Sequence, residues 1–426
     1  VPEGWRLELD PRTRRLDRGR TLLSPSGRLL RLGPGGPDAV SDLRQGRGTS
    51  AARRLGRTLL DAAAAHPRPG PRPADDVTVV VPVRDRTGAL ARCLAALTAR
   101  DVLVVDDGSA DPAAVADLCR QHGARYVHRA NGGPAAARNT AIPLLDKEFV
   151  AFLDSDCVPG PDWLERLRGH LTDPAVAAVA PRVVGGARSP LDLGPRPALV
   201  RPGGEVSYLP TAALLVRRTA LTRFDEQLRY GEDVDLVWRM VDAGWQVRYD
   251  PSVVVHHEEP ARLVDRLVRR FRYGTSAAPL GRRHPGRLAH LVLPPWPTAV
   301  LALLLARRPV LAVGVAATSA VRLDQQLHAP VTSAVLVAHS VRGTALGLGK
   351  ALALLGPLAW AAAARDRRLA ALLVAPYLLE WADRRPEQDP VTWTVGALLG
   401  QAAYGAGVLA GCVTHRTLQP LRPRLR

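Results

Sequence analysis

The chain has 426 residues, long for a single domain, so two or three units are expected. At 46% hydrophobic and 4% aromatic it can bury a sizeable core, packed mostly by aliphatic side chains. The net charge of +18 rests almost wholly on arginine, with lysine only at Lys147 and Lys350. It suits an anionic membrane or phosphorylated substrates, and no nucleic-acid-binding motif accompanies it.

Residues 5–9 and 28–32 alternate apolar and polar side chains as strands do, and residues 39–43 and 51–65 read as short helices. Residues 1–65 are therefore expected to form a small strand-and-helix domain with little core of its own. The start, Val1-Pro2-Glu3-Gly4-Trp5, lacks the charged and apolar segments of a secretory signal. In His66-Pro67-Arg68-Pro69-Gly70-Pro71-Arg72-Pro73 the prolines forbid a helix, which predicts a linker over 66–74.

A catalytic domain is expected over 75–286. Val77–Val83 is a continuous β-branched run, the mark of a strand buried on both faces. Helical spacing over 90–99, a strand over 102–105, a helix over 113–122, a strand over 125–128, a helix over 134–145 and the strand Phe149–Leu153 follow. This alternation predicts an α/β fold with a mostly parallel, Rossmann-like sheet covered by helices on both faces. Ligands of such sheets gather at the carboxyl ends of the strands, where Asp85, Asp106, Asp107 and Asp154 fall.

Residues 287–426 differ: apolar blocks are broken by Arg307-Arg308, Arg365-Asp366-Arg367-Arg368 and Asp383-Arg384-Arg385. Residues 391–414 exceed the spanning length without a charge, and 288–306 are long enough but carry His290 and three prolines. A helical, membrane-associated region is expected, on the cytoplasmic face. Cys93, Cys119, Cys157 and Cys412 have neither zinc-site nor disulfide spacing, which fits a reducing cytosol.

The chemistry concentrates in a few motifs. Asp106 and Asp107, in Asp106-Asp107-Gly108-Ser109, can accept from a uracil imide and ribose hydroxyls, or Asp107 and Ser109 can cap the next helix. Gly132 and Gly133 permit close backbone approach ahead of a helix N-terminus, and Arg138 and Asn139 could close over a base or diphosphate. The absence of GxGxxG counts against a dinucleotide enzyme. Asp154 and Asp156, in Phe152-Leu153-Asp154-Ser155-Asp156, suit Mg²⁺ or Mn²⁺, with a third ligand from His256 or His257. In Gly231-Glu232-Asp233-Val234-Asp235 the acids either compensate a helix dipole or make Asp233 a general base.

Together, Val79-Val80-Val81-Pro82-Val83 with Asp85, Val104-Val105-Asp106-Asp107-Gly108-Ser109, Asn131-Gly132-Gly133 to Asn139, Phe152 to Asp156 and Gly231-Glu232-Asp233 resemble glycosyltransferase family 2 over about half the chain. The resemblance implies a GT-A fold, a metal-dependent nucleotide-sugar donor and inversion by direct displacement. By position it implies that Asp85, Asp107 and Arg138 bind the nucleotide. It further implies that Asp154 and Asp156 hold metal and diphosphate, that Asp233 is the base and that His257 is the third ligand, with His256 in reserve. The Gln-x-x-Arg-Trp motif of processive polysaccharide synthases is missing; Arg269-Arg270-Phe271-Arg272-Tyr273-Gly274 stands there instead. Glu232, Arg270 and Arg272 are thus candidates for contacting acceptor or phosphate.

Leu191 to Pro197, Val206 to Pro210, His257 to Pro260 and Arg270 to Thr275 are similar to those of family members acting on a peptide-derived redox cofactor. The N-terminal region resembles small winged-helix domains that grip precursor peptides. That narrower likeness implies UDP-glucose as donor, a peptide-derived small-molecule acceptor and a short β-linked chain. Two alternatives stand beside it: an enzyme acting on a lipid or cell-envelope acceptor, and a non-catalytic peptide-binding assembly protein. Nucleotidyl transfer lacks its glycine-rich opening loop, since Val81-Pro82-Val83-Arg84-Asp85 occupies that place.

Overall fold

A computed structural model describes residues 1–97, 101–186, 189–384 and 386–425. They form two compact units, Val1–Glu259 and Pro260–Arg426.

The first unit opens with β1 (Arg6–Leu9) and the antiparallel meander β2 (Arg14–Leu16), β3 (Thr21–Leu23) and β4 (Leu29–Arg31). Helices α1 (Gly36–Arg44) and α2 (Ser50–Asp61) follow, and β5 (Ala65–Arg68) returns to pair antiparallel with β1. Trp5, Leu7, Leu22, Leu43, Leu59 and Leu60 fill a small core between them. The proline-rich segment expected to be a linker is held down. Its first residues extend β5, and Arg72 N donates to Glu165 O at 2.9 Å. Proline's extended backbone suits such an edge strand, where its missing N–H goes unnoticed.

The rest of the unit is one twisted sheet of nine strands. Its elements are β6 (Val77–Val83), α3 (Thr87–Ala96), β7 (Val102–Asp107), α4 (Pro112–Gln121), β8 (Arg125–Arg129), α5 (Pro134–Ala141), β9 (Phe149–Leu153), β10 (Cys157–Pro159), α6 (Trp163–His170), β11 (Val176–Val184), β12 (Ala198–Leu199), β13 (Ala213–Arg217), α7 (Glu232–Asp242) and β14 (Gln246–His257). The strand order is β10-β14-β11-β13-β9-β6-β7-β8, with β12 added beside β14. Strands β9, β6, β7 and β8 run parallel, while β13 lies antiparallel between β9 and β11. Helix α3 ends at Ala96, and the helical spacing read over 98–99 lies outside the described residues. Helix α5 stops at Ala141 because Pro143 tightens the chain into a 3₁₀ turn, Ile142–Leu144.

Strands β7 and β9 are buried at every position, with β-branched and aromatic side chains filling both faces. Phe152 is fully buried and meets Phe224 edge-on, ring centroids 5.2 Å apart. Truncating such a residue costs about 3–5 kcal/mol. That core makes the carboxyl ends of β6, β7 and β9 a rigid platform.

The second unit is helical: α8 (Leu263–Thr275), α9 (Ala277–Arg283), α10 (Pro295–Leu305), α11 (Pro309–Leu327), α12 (Pro330–Ala353), α13 (Pro357–Arg365), α14 (Arg367–Arg384) and α15 (Pro390–Thr414). A short parallel pair joins β15 (Val292–Leu293) to β16 (Arg424–Leu425). Helices α8 and α9 thus belong here, although sequence placed them with the catalytic domain. Glycines let α8 lie against α15: a Cβ on Gly407 would stand 1.9 Å from Phe271 O, and one on Gly274 would stand 2.2 Å from Tyr404 O. Among the described residues, α12 (24 residues) and α15 (25 residues) are long and apolar enough to cross a membrane. Residues 288–306 are not such a helix, because Val292–Leu293 is extended and α10 keeps only 11 residues. Arg385 lies outside the described residues.

Candidate active site

The candidate residues of the first unit converge at the carboxyl edge of β6, β7 and β9 and at the start of α7. Asp85 follows β6 in a left-handed conformation (φ 58°), unusual for a non-glycine residue. It is held there because its N–H donates to Ser109 Oγ (2.9 Å) and its carboxylate accepts from Ala110 N (2.6 Å).

Asp106 and Asp107 have different jobs. Asp106 is fully buried and accepts from Ser109 N (2.9 Å) and Tyr126 OH (2.9 Å), with His128 Nδ1 at 3.3 Å. Burial works against its ionisation, but these hydrogen bonds win and hold its pKa below the usual carboxylate range. Its oxygens serve the protein, where sequence offered them to a nucleotide. The Asp107 carboxylate accepts from Gly132 N (2.9 Å) and Gly133 N (2.6 Å) and pairs with Arg129. It therefore fixes the glycine loop. Gly108 (φ 76°) permits this closeness, since a Cβ there would come within 2.7 Å of Asn131 N.

Arg138 is the hub. Its side chain is 4% exposed and bridges Asp154 Oδ1 (2.8 Å) and Glu232 Oε1 (2.9 Å), with Phe224's ring centroid 5.6 Å from its guanidinium carbon. One arginine from α5 thereby ties the end of β9 to the first turn of α7. Neighbouring Asn139 faces elsewhere. Its amide donates to Phe224 O and Glu226 Oε1 (both 2.8 Å) and accepts from Phe224 N (2.8 Å). Those bonds pin the loop at 224–226, so Asn139 shapes the wall and does not close over a base or diphosphate.

Asp154 stays about a third open, at 32% exposure, whereas Asp156 is mostly covered and pairs with Arg86. Burial first, and the negative charge of Asp154 second, raise the Asp156 pKa. His257, at the end of β14, places Nε2 3.5 Å from Asp156 Oδ1 and Nδ1 3.3 Å from Glu259 Oε1. Register explains this: β10 sets Cys157 opposite His257, while His256 faces Val158 and is exposed on the other side of the strand. Geometry thus favours His257 over His256. Two carboxylates and an imidazole form a donor set that suits a divalent cation, and mutual repulsion of the acids would be relieved by one. They are not preassembled around a centre: among the described residues no group of three or more His, Cys, Asp or Glu stands in ligating position. Arg138 draws Asp154 one way and Arg86 draws Asp156 another.

Gly231 (φ 84°) turns the chain into α7, whose first turn carries Glu232, Asp233 and Asp235. Asp235 is drawn to Arg239 at 2.8 Å, away from its neighbours. Burial raises the Glu232 pKa against the pull of Arg138. Burial, then the charge of Glu232, pushes Asp233 up to about 7. A carboxylate poised there can take a proton at neutral pH. Arg270 and Arg272 lie on α8 in the second unit. Sequence reasoning missed Arg86 and Arg129, whose partners are far along the chain and whose type is too common here to stand out.

The chain is similar in sequence to known proteins. The profile of glycosyl transferase family 2 matches residues 78–223, which include every candidate from Asp85 to Asp156. The chain is 38% identical to the pre-mycofactocin glycosyltransferase of Mycobacterium tuberculosis, an alignment covering 100% of this chain and 99% of that protein. It is 29% identical to glycosyltransferase AglE of Haloferax volcanii, covering 46% of this chain and 71% of that one. Among solved structures, glucosyl-3-phosphoglycerate synthase from Mycobacterium tuberculosis aligns with a TM-score of 0.38 and 20% identity, covering 49% of this chain and 79% of that chain. With its α/β GT-A catalytic domain, the chain is a glycosyltransferase and belongs to glycosyltransferase family 2.

Proposed function

We propose that this protein is an inverting hexosyltransferase of mycofactocin biosynthesis, moving glucose from UDP-glucose to a hydroxyl of the peptide-derived cofactor precursor and extending a short β-linked chain. The observation that carries this is the likeness to the pre-mycofactocin glycosyltransferase along the entire chain, including the stretches outside the catalytic sheet.

In this mechanism Asp233 accepts the proton of the acceptor hydroxyl as its oxygen displaces the diphosphate from the anomeric carbon. A pKa of about 7 matches that task, because the base is ionised in part at neutral pH and still basic enough to hold the proton. Arg138 holds Glu232 beside Asp233 through its hydrogen bond, and steadies Asp154 at the sheet edge. The loop held by Asp107 presents the 131–133 backbone and the start of α5 to the nucleotide, with Asp85 beside it. Asp154, Asp156 and His257 would hold Mn²⁺ or Mg²⁺, which offsets charge building on the departing diphosphate.

Residues 1–65 would offer a precursor peptide a docking site on their small sheet. The second unit would rest on the cytoplasmic face of the membrane through exposed side chains such as Val310, Val331, Leu358 and Val413. The same exposed helices favour a second reading, transfer to a lipid acceptor. Purified protein given UDP-glucose, Mn²⁺ and either the mycofactocin aglycone or a polyprenyl lipid decides between them. Hexose added to the aglycone supports the first reading; product on the lipid alone supports the second.

A further inference from the structure

Arg86 occupies an unusual position at the site. It follows Asp85, whose left-handed backbone is anchored to Ser109 and Ala110, so the root of the Arg86 side chain is held still. Its side chain is nevertheless 57% exposed and reaches across to Asp156. The carboxylate it pairs with also faces His257 at 3.5 Å and is repelled by Asp154. Arg138 differs in kind: it is buried and locked between two acids, and has no room to leave. Arg86 has solvent on one side, a long flexible stem and a planar fork that matches diphosphate oxygens.

We propose that Arg86 is a resident counter-ion of Asp156, which yields that carboxylate to a divalent cation and then binds the diphosphate of the donor. The proposal rests on the reading of Asp154, Asp156 and His257 as the cation site. A cation brings two charges to the carboxylate that Arg86 neutralises with one, so the two compete for Asp156. Once displaced, the guanidinium lies beside the position where a cation-bound diphosphate adds negative charge. Arg86 thus opposes the cation when it comes alone and favours it when it comes with nucleotide. That arrangement would make metal and donor load together. Arg92 is an internal control: it lies on α3, which begins just after Arg86, and pairs with Glu258 where Arg86 pairs with Asp156, both side chains well exposed.

The test is calorimetric titration of the full-length protein and its Arg86→Ala, Arg86→Lys and Arg92→Ala variants. Mn²⁺ is titrated first without nucleotide, then UDP is titrated both without Mn²⁺ and at saturating Mn²⁺. Arg86→Ala is expected to bind Mn²⁺ alone about fivefold more tightly, the scale of losing one half-exposed competing pair. It should bind UDP about tenfold more weakly, the scale of one charge-assisted hydrogen bond. Arg86→Lys should lie between, and Arg92→Ala should match the wild type in both titrations. An Arg86→Ala protein whose two affinities are unchanged, or shift in the same direction, overturns the proposal while leaving the cation site standing. Wild-type protein whose UDP binding ignores Mn²⁺ removes the cation site itself, and the proposal with it.

Discussion

Removing the Arg138 guanidinium should damage the fold and the site together, through charge and not through volume. Arg138→Met keeps most of the stem in a pocket that admits almost no water. It strands Glu232, which is buried, and Asp154, which is about a third exposed. Breaking a buried pair by deleting one partner costs about 3–5 kcal/mol, and the partial opening of Asp154 argues for the low end, about 3 kcal/mol. For a unit of this size each kcal/mol moves the melting midpoint by roughly 2–4 °C, so a drop of about 6–12 °C is expected. The double variant Arg138→Met/Glu232→Gln should recover about half of it, since an amide in that place carries no stranded charge. The sign with pH follows as well. Without Arg138 the Glu232 pKa rises further above its unfolded value. The folded variant then favours protonated Glu232, and stability is lost as pH rises through that raised pKa. The deficit should therefore be smaller at pH 5 than at pH 8. Thermal scans of the three proteins at both pH values measure all of this. A shift under 2 °C, or a double variant no better than the single one, would refute Arg138 as an electrostatic keystone.

Asp233→Asn should lower the transfer rate about 10²–10⁴-fold while UDP affinity stays within about twofold. The wild-type rate should fall tenfold per unit as pH drops below about 7, because only ionised Asp233 accepts a proton. A flat profile would remove it as base. Asp107→Ala leaves the N–H groups of Gly132 and Gly133 without their carboxylate, and should speed hydrogen exchange at 131–133 and weaken UDP binding about tenfold. Unchanged exchange would mean that the loop holds itself. Gly407→Ala places a methyl against Phe271 O, and should cost the second unit about 1–3 kcal/mol by forcing α8 off α15. An unaltered melting profile would show that the two helices are not tightly docked. Full-length protein should sediment with anionic vesicles and lose that binding when Val310, Val331, Leu358 and Val413 are changed to Ser together. Retained binding would rule out these side chains as the membrane face.

The catalytic sheet was readable because its strands are buried on both faces. Val77–Val83 and Phe149–Leu153 are largely apolar runs, and Asp85 and Asp154 fall just past their ends. The N-terminal meander was half hidden: Arg14-Arg15-Leu16 and Thr21-Leu22-Leu23 are too short to show a period, and the first is mostly charged. Strand β14 was visible only at Val253-Val254-Val255, since Pro251 sits at a register shift that divides it. Helix α12 was passed over because Arg342 and Lys350 interrupt its apolar run, a break that a helix bundle or lipid headgroups can accommodate. At the site the motifs located the residues but not their duties. Whether Asp107 holds a ligand or a loop, and whether Asn139 faces a base or Phe224, depends on partners tens of residues away. No local pattern encodes such pairings.

The most direct measurement is sugar transfer by the purified, full-length protein with UDP-glucose, Mn²⁺ and the mycofactocin aglycone, followed by mass. The aglycone should gain one or more hexoses, and Asp233→Asn should abolish that gain while still binding UDP. An aglycone left unmodified by wild-type protein that binds UDP would contradict the proposed acceptor and donor.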